Sequence, residues 1–258
     1  MKRITLLVLT TFMILSGMKG QTEDASSLLD RSRDMTITDA LEAKVRLTIT
    51  DKNGNSRVRE NKVVSKKYPD GTEKRLIRFM APAEVQGTAI LIYDYKDKQD
   101  DMWIYLPALK RVRRIVSTEK GKSFMGSEFT NSDISSPPSA DFRNRHLDGS
   151  GKSGEYIIES APVDVAKENE YGYSRRISYF EMGTLHLRKI EFFDKNGTLY
   201  KTIEVGSVVP LGKGGGYMIA EMTATNHVTG RHSSMKMENI TTDIVPNDIL
   251  FDSANLDR

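Results

Sequence analysis

The chain has 258 residues, with 38 lysines and arginines, 35 aspartates and glutamates, and no cysteine. Without cysteine it has no disulfides, no thiolate metal ligands and no N-terminal cysteine available for acylation. Removal of the first 20 residues takes Lys2, Arg3 and Lys19 away, which brings the 38 basic residues to 35 and balances the 35 acidic ones. A near-neutral chain lacks the strongly basic character of a nucleic-acid-binding domain, so we expect no nucleic-acid partner.

The first 20 residues have the features of a secretory signal peptide. Two basic residues precede an apolar run over 4–15, and small residues follow it, which predicts cleavage near Gly20 and Gln21. Threonines interrupt the run, and a membrane span needs roughly 20 apolar residues, so a retained anchor is the less favoured interpretation. Residues 21–258 are therefore expected to form a single exported domain, and we expect it to be a monomer.

The remainder of the chain predicts a mainly β protein with a few helices. Residues 22–35 place Ala25, Leu28 and Leu29 at helical spacing, which indicates a short amphipathic helix. From Ala40 onward, apolar or alternating runs are separated by turn dipeptides such as Asn53-Gly54, a pattern typical of antiparallel strands. Twelve strands are predicted, at 42–50, 57–67, 73–79, 88–95, 101–106, 111–116, 155–160, 174–180, 185–193, 199–208, 217–226 and 232–240.

Several connections between these strands have their own character. Residues 123–129 and 163–170 are candidates for short helical turns, and 212–216 is a glycine-rich hairpin loop. Prolines 137 and 138 lie in the segment 132–140 and offer no backbone donors, so this segment is predicted to be an exposed crossover.

The strands at 88–95 and 101–106 are apolar on both faces. Side chains alternate along a strand, so Trp103 and Tyr105 lie on the face opposite Met102, Ile104 and Leu106. Such a sheet is covered on both sides or holds an apolar molecule against one of them. The candidate cavity residues in this part of the sheet are Leu91, Tyr93, Trp103 and Tyr105.

The late strands present a row of methionines. Met218 and Met222 alternate with other residues on one face, as do Met235 and Met237 on the next strand. Thioether side chains adapt to irregular apolar shapes such as an acyl chain, so these four residues complete the candidate lipid-binding cavity. Ordinary core packing is the alternative.

The strand after Leu109 has four cations in five residues, namely Lys110, Arg111, Arg113 and Arg114. They form a candidate basic rim, since arginine forks bind lipid phosphates or an acidic partner. The structural alternative is an edge strand protected by charge against further pairing.

A small apolar segment follows the basic strand. Phe124, Met125 and Phe129 lie close to Gly121 and Gly126, which permit backbone movement. We interpret these three apolar residues as a lid over the cavity, with a permanently packed plug as the alternative.

The sequence lacks the motifs of catalysis and cofactor binding. Gly121-Lys122-Ser123 resembles the end of a phosphate-binding loop, but the position of its first glycine is Val116. The four histidines have no recognised zinc spacing, and no nucleophile elbow is present. We therefore expect no enzyme activity, no cofactor and no metal site.

Three segments carry a family resemblance: WIYLP at 103–107, KRVRRI at 110–115 and GKSFMGS at 121–127. They resemble the outer-membrane lipoprotein-sorting proteins with a LolA-like fold. The resemblance implies a curved antiparallel sheet that forms an incomplete, half β-barrel plugged by short helices, as in LolA and LolB. It also implies a periplasmic carrier of lipoprotein acyl chains or another lipid, with transient membrane contact.

The same resemblance implies that cargo comes from an inner-membrane transporter, with RND-type and ABC transporters as the candidates. The alternatives to a lipoprotein cargo are a phospholipid, a glycolipid or a sterol-like molecule. The resemblance also implies a chaperone role in outer membrane biogenesis. The alternative from another class is a non-catalytic envelope assembly protein whose sheet is fully packed and whose basic strand docks on an envelope partner.

Overall fold

The computed structural model describes residues 23–96, 98–150, 154–211 and 215–258. The predicted signal peptide over 1–20 and its cleavage site lie outside these residues, as does most of the predicted hairpin loop at 212–216.

Within the described residues, thirteen strands form one antiparallel sheet. All twelve predicted strands are present, with ends that differ by up to three residues, because local alternation and turn residues determine them. The strands are β1 (Ala40–Thr50), β2 (Ser56–Lys67), β3 (Glu73–Ala81), β4 (Ala89–Asp94), β5 (Asp101–Leu106), β6 (Arg111–Ile115), β7 (Phe142–His146), β8 (Glu155–Pro162), β9 (Arg175–Glu181), β10 (Leu187–Phe193), β11 (Leu199–Leu211), β12 (Gly216–Asn226) and β13 (His232–Thr241).

The order of the strands explains the incomplete barrel. Each of β1 to β6 pairs with its neighbour in sequence, the same holds from β7 to β13, and the two halves join where β1 pairs with β13. Strands β6 and β7 are the two edges and do not pair with each other, so the sheet stays open. The predicted mainly β, half-barrel fold is confirmed.

Strand β7 was not predicted, and the turn at 123–129 was predicted wrongly as helical. The sequence of β7, Phe-Arg-Asn-Arg-His, has little of the apolar character that marks a strand, and it forms by pairing with β8. Ser123 and Thr130 instead form a bridge that closes a tight turn, and the helix α2 (Asn131–Ile134) begins only after it.

Three α-helices accompany the sheet in the part of the chain that the structure describes. Helix α1 (Ala25–Asp34) begins at Asp24, whose carboxylate accepts hydrogen bonds from two backbone amides of the first turn. Its buried Leu28 packs in a cluster with residues of β8 and β9. The third helix, α3 (Val165–Tyr171), occupies most of the predicted helical insertion at 163–170 and ends at Gly172 in the left-handed conformation.

The sheet has apolar residues on both faces, as the sequence indicated. We define the inner face as the one that carries Val45, Ile77 and Ile104, and the outer face as the one that carries Leu76 and Leu91. The inner face is covered by α1 and by residues 117–142. The outer face is covered over β2 to β5 by the C-terminal segment, which we define as 248–256.

Candidate functional site

A cavity of about 380 Å³ lies between the inner face of the sheet and the elements that cover it. Its wall is predominantly apolar and combines strands from both halves of the sheet, so the cavity exists only because β1 pairs with β13. Polar and charged residues also line it, from the end of α1, from 132–139 and from the strands themselves. The apolar part of the wall includes Val45, Val63, Ile77, Phe124, Phe142, Phe180, Leu187, Ile190, Phe192, Ile203 and Val205.

The four predicted methionines lie in the wall of this cavity. Met222 and Met235 face each other across β12 and β13, and Met218 and Met237 continue the same surface. Met218 and Met235 are buried, whereas the other two are partly exposed. Their flexible thioethers give this wall an adaptable shape, and their binding of lipid stays a prediction.

The other four predicted cavity residues, Leu91, Tyr93, Trp103 and Tyr105, do not line the cavity. They lie on the outer face, in a cluster with Phe251 and Leu256 of the C-terminal segment. The Tyr93 hydroxyl donates a hydrogen bond to the Phe251 carbonyl, and the ring centroids of Tyr93 and Trp103 are 4.9 Å apart. The prediction placed them wrongly, because this segment covers the outer face while the cavity lies behind the opposite one.

The predicted lid residues Phe124 and Phe129 are buried against the inner face, and only Phe124 reaches the cavity wall. The turn is compact, since the Phe124 amide donates to the Phe129 carbonyl at 2.7 Å. Met125 and Gly126 both have positive φ at its tip, and Met125 packs at the margin of the core. Gly121 instead allows a close approach, because a side chain there would meet the Tyr171 carbonyl at 2.9 Å.

Three arginines that sequence reasoning missed hold the tip of this turn. Arg59 donates to the Met125 carbonyl, and Arg57 and Arg231 donate to the Gly126 carbonyl at 3.3 and 3.2 Å. Arg57 and Arg59 lie two residues apart on β2, and the pairing of β1 with β2 and with β13 brings the distant Arg231 close to them. We call them the arginine latch, since each of these bonds joins a charged donor on the sheet to the backbone of the turn.

A buried charged cluster anchors the cover at the other margin of the cavity. Arg75 donates to the Ile134 carbonyl at 2.7 Å and to Glu73 at 2.9 Å, and it lies 3.8 Å from Asp94. Asp94 accepts a hydrogen bond from the Ser136 amide at 3.0 Å, and burial raises the pKa of Asp94 to about 6. The segment 132–140 was predicted wrongly as exposed: most of its residues are buried or half-buried, because these contacts hold it against β3 and β4 as part of the cavity cover.

A second buried ion pair fixes α2. Lys201 on β11 lies 2.7 Å from Asp133, and both side chains are almost fully buried. A buried ion pair costs desolvation energy that its own attraction has to offset. The position of α2 over the sheet is therefore set by a directional contact as well as by apolar packing.

The predicted basic rim forms edge strand β6 and the turn before it. Arg113 pairs with Glu119 at 2.7 Å, and Arg114 pairs with Asp101. Lys110 and Arg111 are exposed and form no ion pair among the described residues. Leu109, Val112 and Val116 are exposed beside them. The β5–β6 hairpin therefore presents apolar side chains together with two unpaired cations.

No helix among the described residues has the length and apolarity needed to cross a membrane. In the same part of the chain, no group of three or more histidine, aspartate or glutamate side chains is arranged to hold a metal ion.

Comparison with known proteins places the chain in a family. The family described as "Uncharacterized protein" matches residues 71–258, which is more than half of the chain. No curated protein sequence matches it.

Solved structures provide the closer description. An outer membrane lipoprotein-sorting protein domain from Vibrio parahaemolyticus is 26% identical with a TM-score of 0.80, and the match covers 91% of this chain and 98% of that one. A DUF1329 family protein from Desulfovibrio piger is 27% identical with a TM-score of 0.77, covering 90% and 97%. A LolA superfamily protein from Nitrosomonas europaea shares the fold at 16% identity and a TM-score of 0.67, covering 90% and 99%. The chain therefore belongs to the family whose model matches residues 71–258, it has a LolA-like fold, and it is similar in sequence and structure to the outer-membrane lipoprotein-sorting domain and the DUF1329 protein.

Proposed function

We propose that this protein is a periplasmic carrier that holds the acyl chain of a lipoprotein or lipid and moves it between the inner and outer membranes. The observation that carries the proposal is the apolar cavity of about 380 Å³ behind the open sheet. Ligand sites have volumes of roughly 300–1,000 Å³, so the cavity is large enough for a chain. At about 0.8 kcal/mol per methylene, burying about twelve methylenes stabilises the complex by about 10 kcal/mol.

The relatives support the same function. The domain from Vibrio parahaemolyticus is described as a lipoprotein-sorting protein and matches nearly the whole of this chain. Export through the predicted signal peptide is part of the proposal and puts the protein in the periplasm. The transfer that we propose makes and breaks no covalent bond.

The turn at 123–130 is the proposed lid. Phe124 contributes to the cavity wall, and the arginine latch holds the tip of the same turn through backbone carbonyls. Water replaces hydrogen bonds to carbonyls more readily than it replaces apolar packing, so the latch is the part of the cover that releases at the lowest cost. We call the part of the cavity wall formed by Met218, Met222, Met235 and Met237 the methionine wall. Opening at the latch exposes it to an entering chain.

The β5–β6 hairpin is the proposed docking element. Its exposed Leu109, Lys110 and Arg111 fit the surface of a membrane with anionic lipids or an acidic face of a transporter. Each basic residue near an anionic surface contributes about 1 kcal/mol. Two unpaired cations are sufficient for a transient contact and insufficient for permanent attachment, as a shuttling protein requires.

The test of the carrier is uptake of a fluorescent fatty acid by the purified protein and by Met222→Glu. A carboxylate in the methionine wall opposes the entry of an acyl chain, so we expect this variant to lose uptake at least tenfold while keeping its circular dichroism spectrum. Met182→Glu is the matched control, because Met182 is 40% exposed outside the cavity. Equal uptake by the two variants would exclude the cavity as the site.

Native mass spectrometry of the protein purified from its host identifies the cargo. A co-purifying acylated species is the expected result. A ligand-free mass, together with no uptake of the fatty acid, would favour the envelope assembly protein instead.

Docking is tested separately by flotation with vesicles that contain anionic lipid. We expect Lys110→Glu with Arg111→Glu to reduce the bound fraction without changing fatty-acid uptake, because the hairpin lies away from the cavity. Lys52→Glu, at an exposed turn between β1 and β2, is the control. An unchanged bound fraction would remove the hairpin from membrane docking.

A further inference from the structure

Three neighbouring side chains on the inner face have buried polar atoms without hydrogen-bond partners. Asn144 on β7 lies opposite Ser160 on β8, and Ser160 lies opposite Arg176 on β9. Residues directly opposite each other on paired strands share a face, with Cβ atoms about 5 Å apart. We call these three residues the polar row.

Each member of the polar row is incompletely satisfied. Within the described part of the chain, Asn144 Oδ1, Ser160 Oγ and Arg176 Nε are buried and have no hydrogen-bond partner. Ser160 is completely buried. The Asn144 amide nitrogen already donates to Ser26 at 3.2 Å, which leaves its oxygen as the free group. Buried polar groups are normally paired, so three adjacent exceptions require an explanation.

The positive charge of Arg176 indicates which kind of ligand binds the free polar atoms of the polar row. Its neighbours Arg145 and Arg175 both pair with Glu159, whereas no carboxylate of the described residues pairs with Arg176. Its guanidinium lies 4.9 Å from the centre of the Phe142 ring, against an aromatic wall. A water molecule would accept a hydrogen bond from the free Arg176 donor but would leave the charge uncompensated. An anion accepts the hydrogen bond and also compensates the charge.

The two outer members of the polar row reach the same cavity as the methionine wall, and the buried Ser160 lies between them. Asn144 and Arg176 line the cavity together with Phe142 and Phe192. Phe192 on β10 lies opposite Arg176, and Lys201 on β11 lies opposite Phe192. The charge of Lys201 is already neutralised by its ion pair with Asp133. Arg176 is therefore the unpaired cation of this part of the wall, next to apolar surface that accepts a chain.

We propose that the polar row binds the anionic headgroup of the lipid whose chain occupies the cavity. This inference rests on the proposed carrier function and specifies its cargo as an amphiphile with a phosphate-like or carboxylate-like group. Arg176 donates to the anionic oxygens, the Ser160 hydroxyl donates beside it, and Asn144 accepts from a hydroxyl or protonated oxygen of the headgroup. A lipid with a cationic headgroup is disfavoured by the charge of Arg176.

The test is calorimetric titration with dodecyl phosphate, dodecyltrimethylammonium and inorganic phosphate. We expect dodecyl phosphate to bind about 10- to 100-fold more tightly than dodecyltrimethylammonium, which has the same chain length. This range is the change in Kd that corresponds to the net energy of a hydrogen bond to a charged group. Arg176→Met should abolish that preference. Arg188→Met, which changes an exposed arginine of β10 in the same way, should retain it.

The outcomes separate the headgroup site from the carrier. Equal binding of the two dodecyl ligands, with no effect of Arg176→Met, overturns the headgroup site and leaves the carrier standing. Failure of both dodecyl ligands to bind overturns the carrier and the headgroup site together. Inorganic phosphate that binds as tightly as dodecyl phosphate shows an anion site that does not recognise lipid, and it also overturns the proposal.

Ser160→Ala provides a second readout that a purely structural role would not give. Removing an unpaired buried hydroxyl should raise the thermal midpoint of the ligand-free protein and weaken dodecyl phosphate binding. A lower midpoint with unchanged affinity would place Ser160 in the core and overturn its part in the site.

Discussion

Replacing Asp94 by asparagine removes a buried negative charge, and we expect it to stabilise the protein above pH 6. Asp94 is 2% exposed, and its burial raises its pKa to about 6, although neighbouring Arg75 favours the charged form. The amide oxygen of an asparagine retains the acceptor for the Ser136 backbone amide. The substitution therefore changes the charge of the cluster while keeping its contact with the cavity cover.

The size of this stabilisation follows from the difference between the ordinary aspartate pKa of 3.8 and the pKa of about 6 that Asp94 has in the folded protein. Each pKa unit is worth roughly 1.4 kcal/mol, so Asp94 costs the folded state about 3 kcal/mol at pH 7.5. The folded state holds the proton more tightly than the unfolded state, and therefore this cost decreases as the pH falls through about 6. It disappears below about pH 4, where both states are protonated.

Urea unfolding followed by circular dichroism measures this effect. At pH 7.5 we expect Asp94→Asn to raise the free energy of unfolding by about 2–3 kcal/mol, and we expect the gain to shrink at pH 5. Asp39→Asn, at an exposed position just before β1, should show no such pH dependence. A destabilised Asp94→Asn at pH 7.5 would refute the reasoning, since it would mean that pairing with Arg75 outweighs burial.

Two further predictions concern the lid and the outer face. Arg59→Ala removes one hydrogen bond of the arginine latch, so amide hydrogen exchange should accelerate in the turn between Phe124 and Phe129 and remain unchanged in β9. Equal acceleration in the turn and in β9 would indicate general destabilisation. Leu91→Ala should lower the free energy of unfolding by about 2–5 kcal/mol, because Leu91 is fully buried. Its fatty-acid uptake should equal that of the unmodified protein, and a loss of uptake in the folded variant would return the outer face to the binding site.

The sequence predicts most strands because their apolar alternation is local, but it does not identify the face that holds the cavity. In β5, Met102 and Ile104 on one face are as apolar as Trp103 and Tyr105 on the other. The deciding element is Phe251 with the rest of the C-terminal segment, which is distant in sequence and packs on the outer face. A local pattern contains no information on which of two apolar faces such a segment covers.

The arginine latch and the polar row illustrate the same limit. Arg57 and Arg59 lie two residues apart on an ordinary polar strand, whereas Arg231 follows a distant hairpin turn, so no sequence spacing connects Arg231 to them. They meet because β1 lies between β2 and β13. Ser160 is equally inconspicuous in sequence, and only the register of β7, β8 and β9 places it between a free amide oxygen and an unpaired guanidinium. Long-range pairing determined both features.

The two covers of this sheet, the C-terminal segment on the outer face and α1 with residues 117–142 on the inner face, have different contacts at their margins. The outer cover inserts Phe251 and Leu256 into an apolar cluster, where each buried side chain contributes roughly 1.5–3 kcal/mol and water offers no substitute. At its two margins the inner cover is attached through Arg59 and Arg75, which donate to backbone carbonyls of the cover. A hydrogen bond from a charged donor has a net worth of about 1.5–3 kcal/mol, and water can take its place when it breaks. The inner cover also buries Phe124 and Phe129, so its opening costs apolar contacts as well, and we expect an incoming chain to offset that cost by filling the cavity.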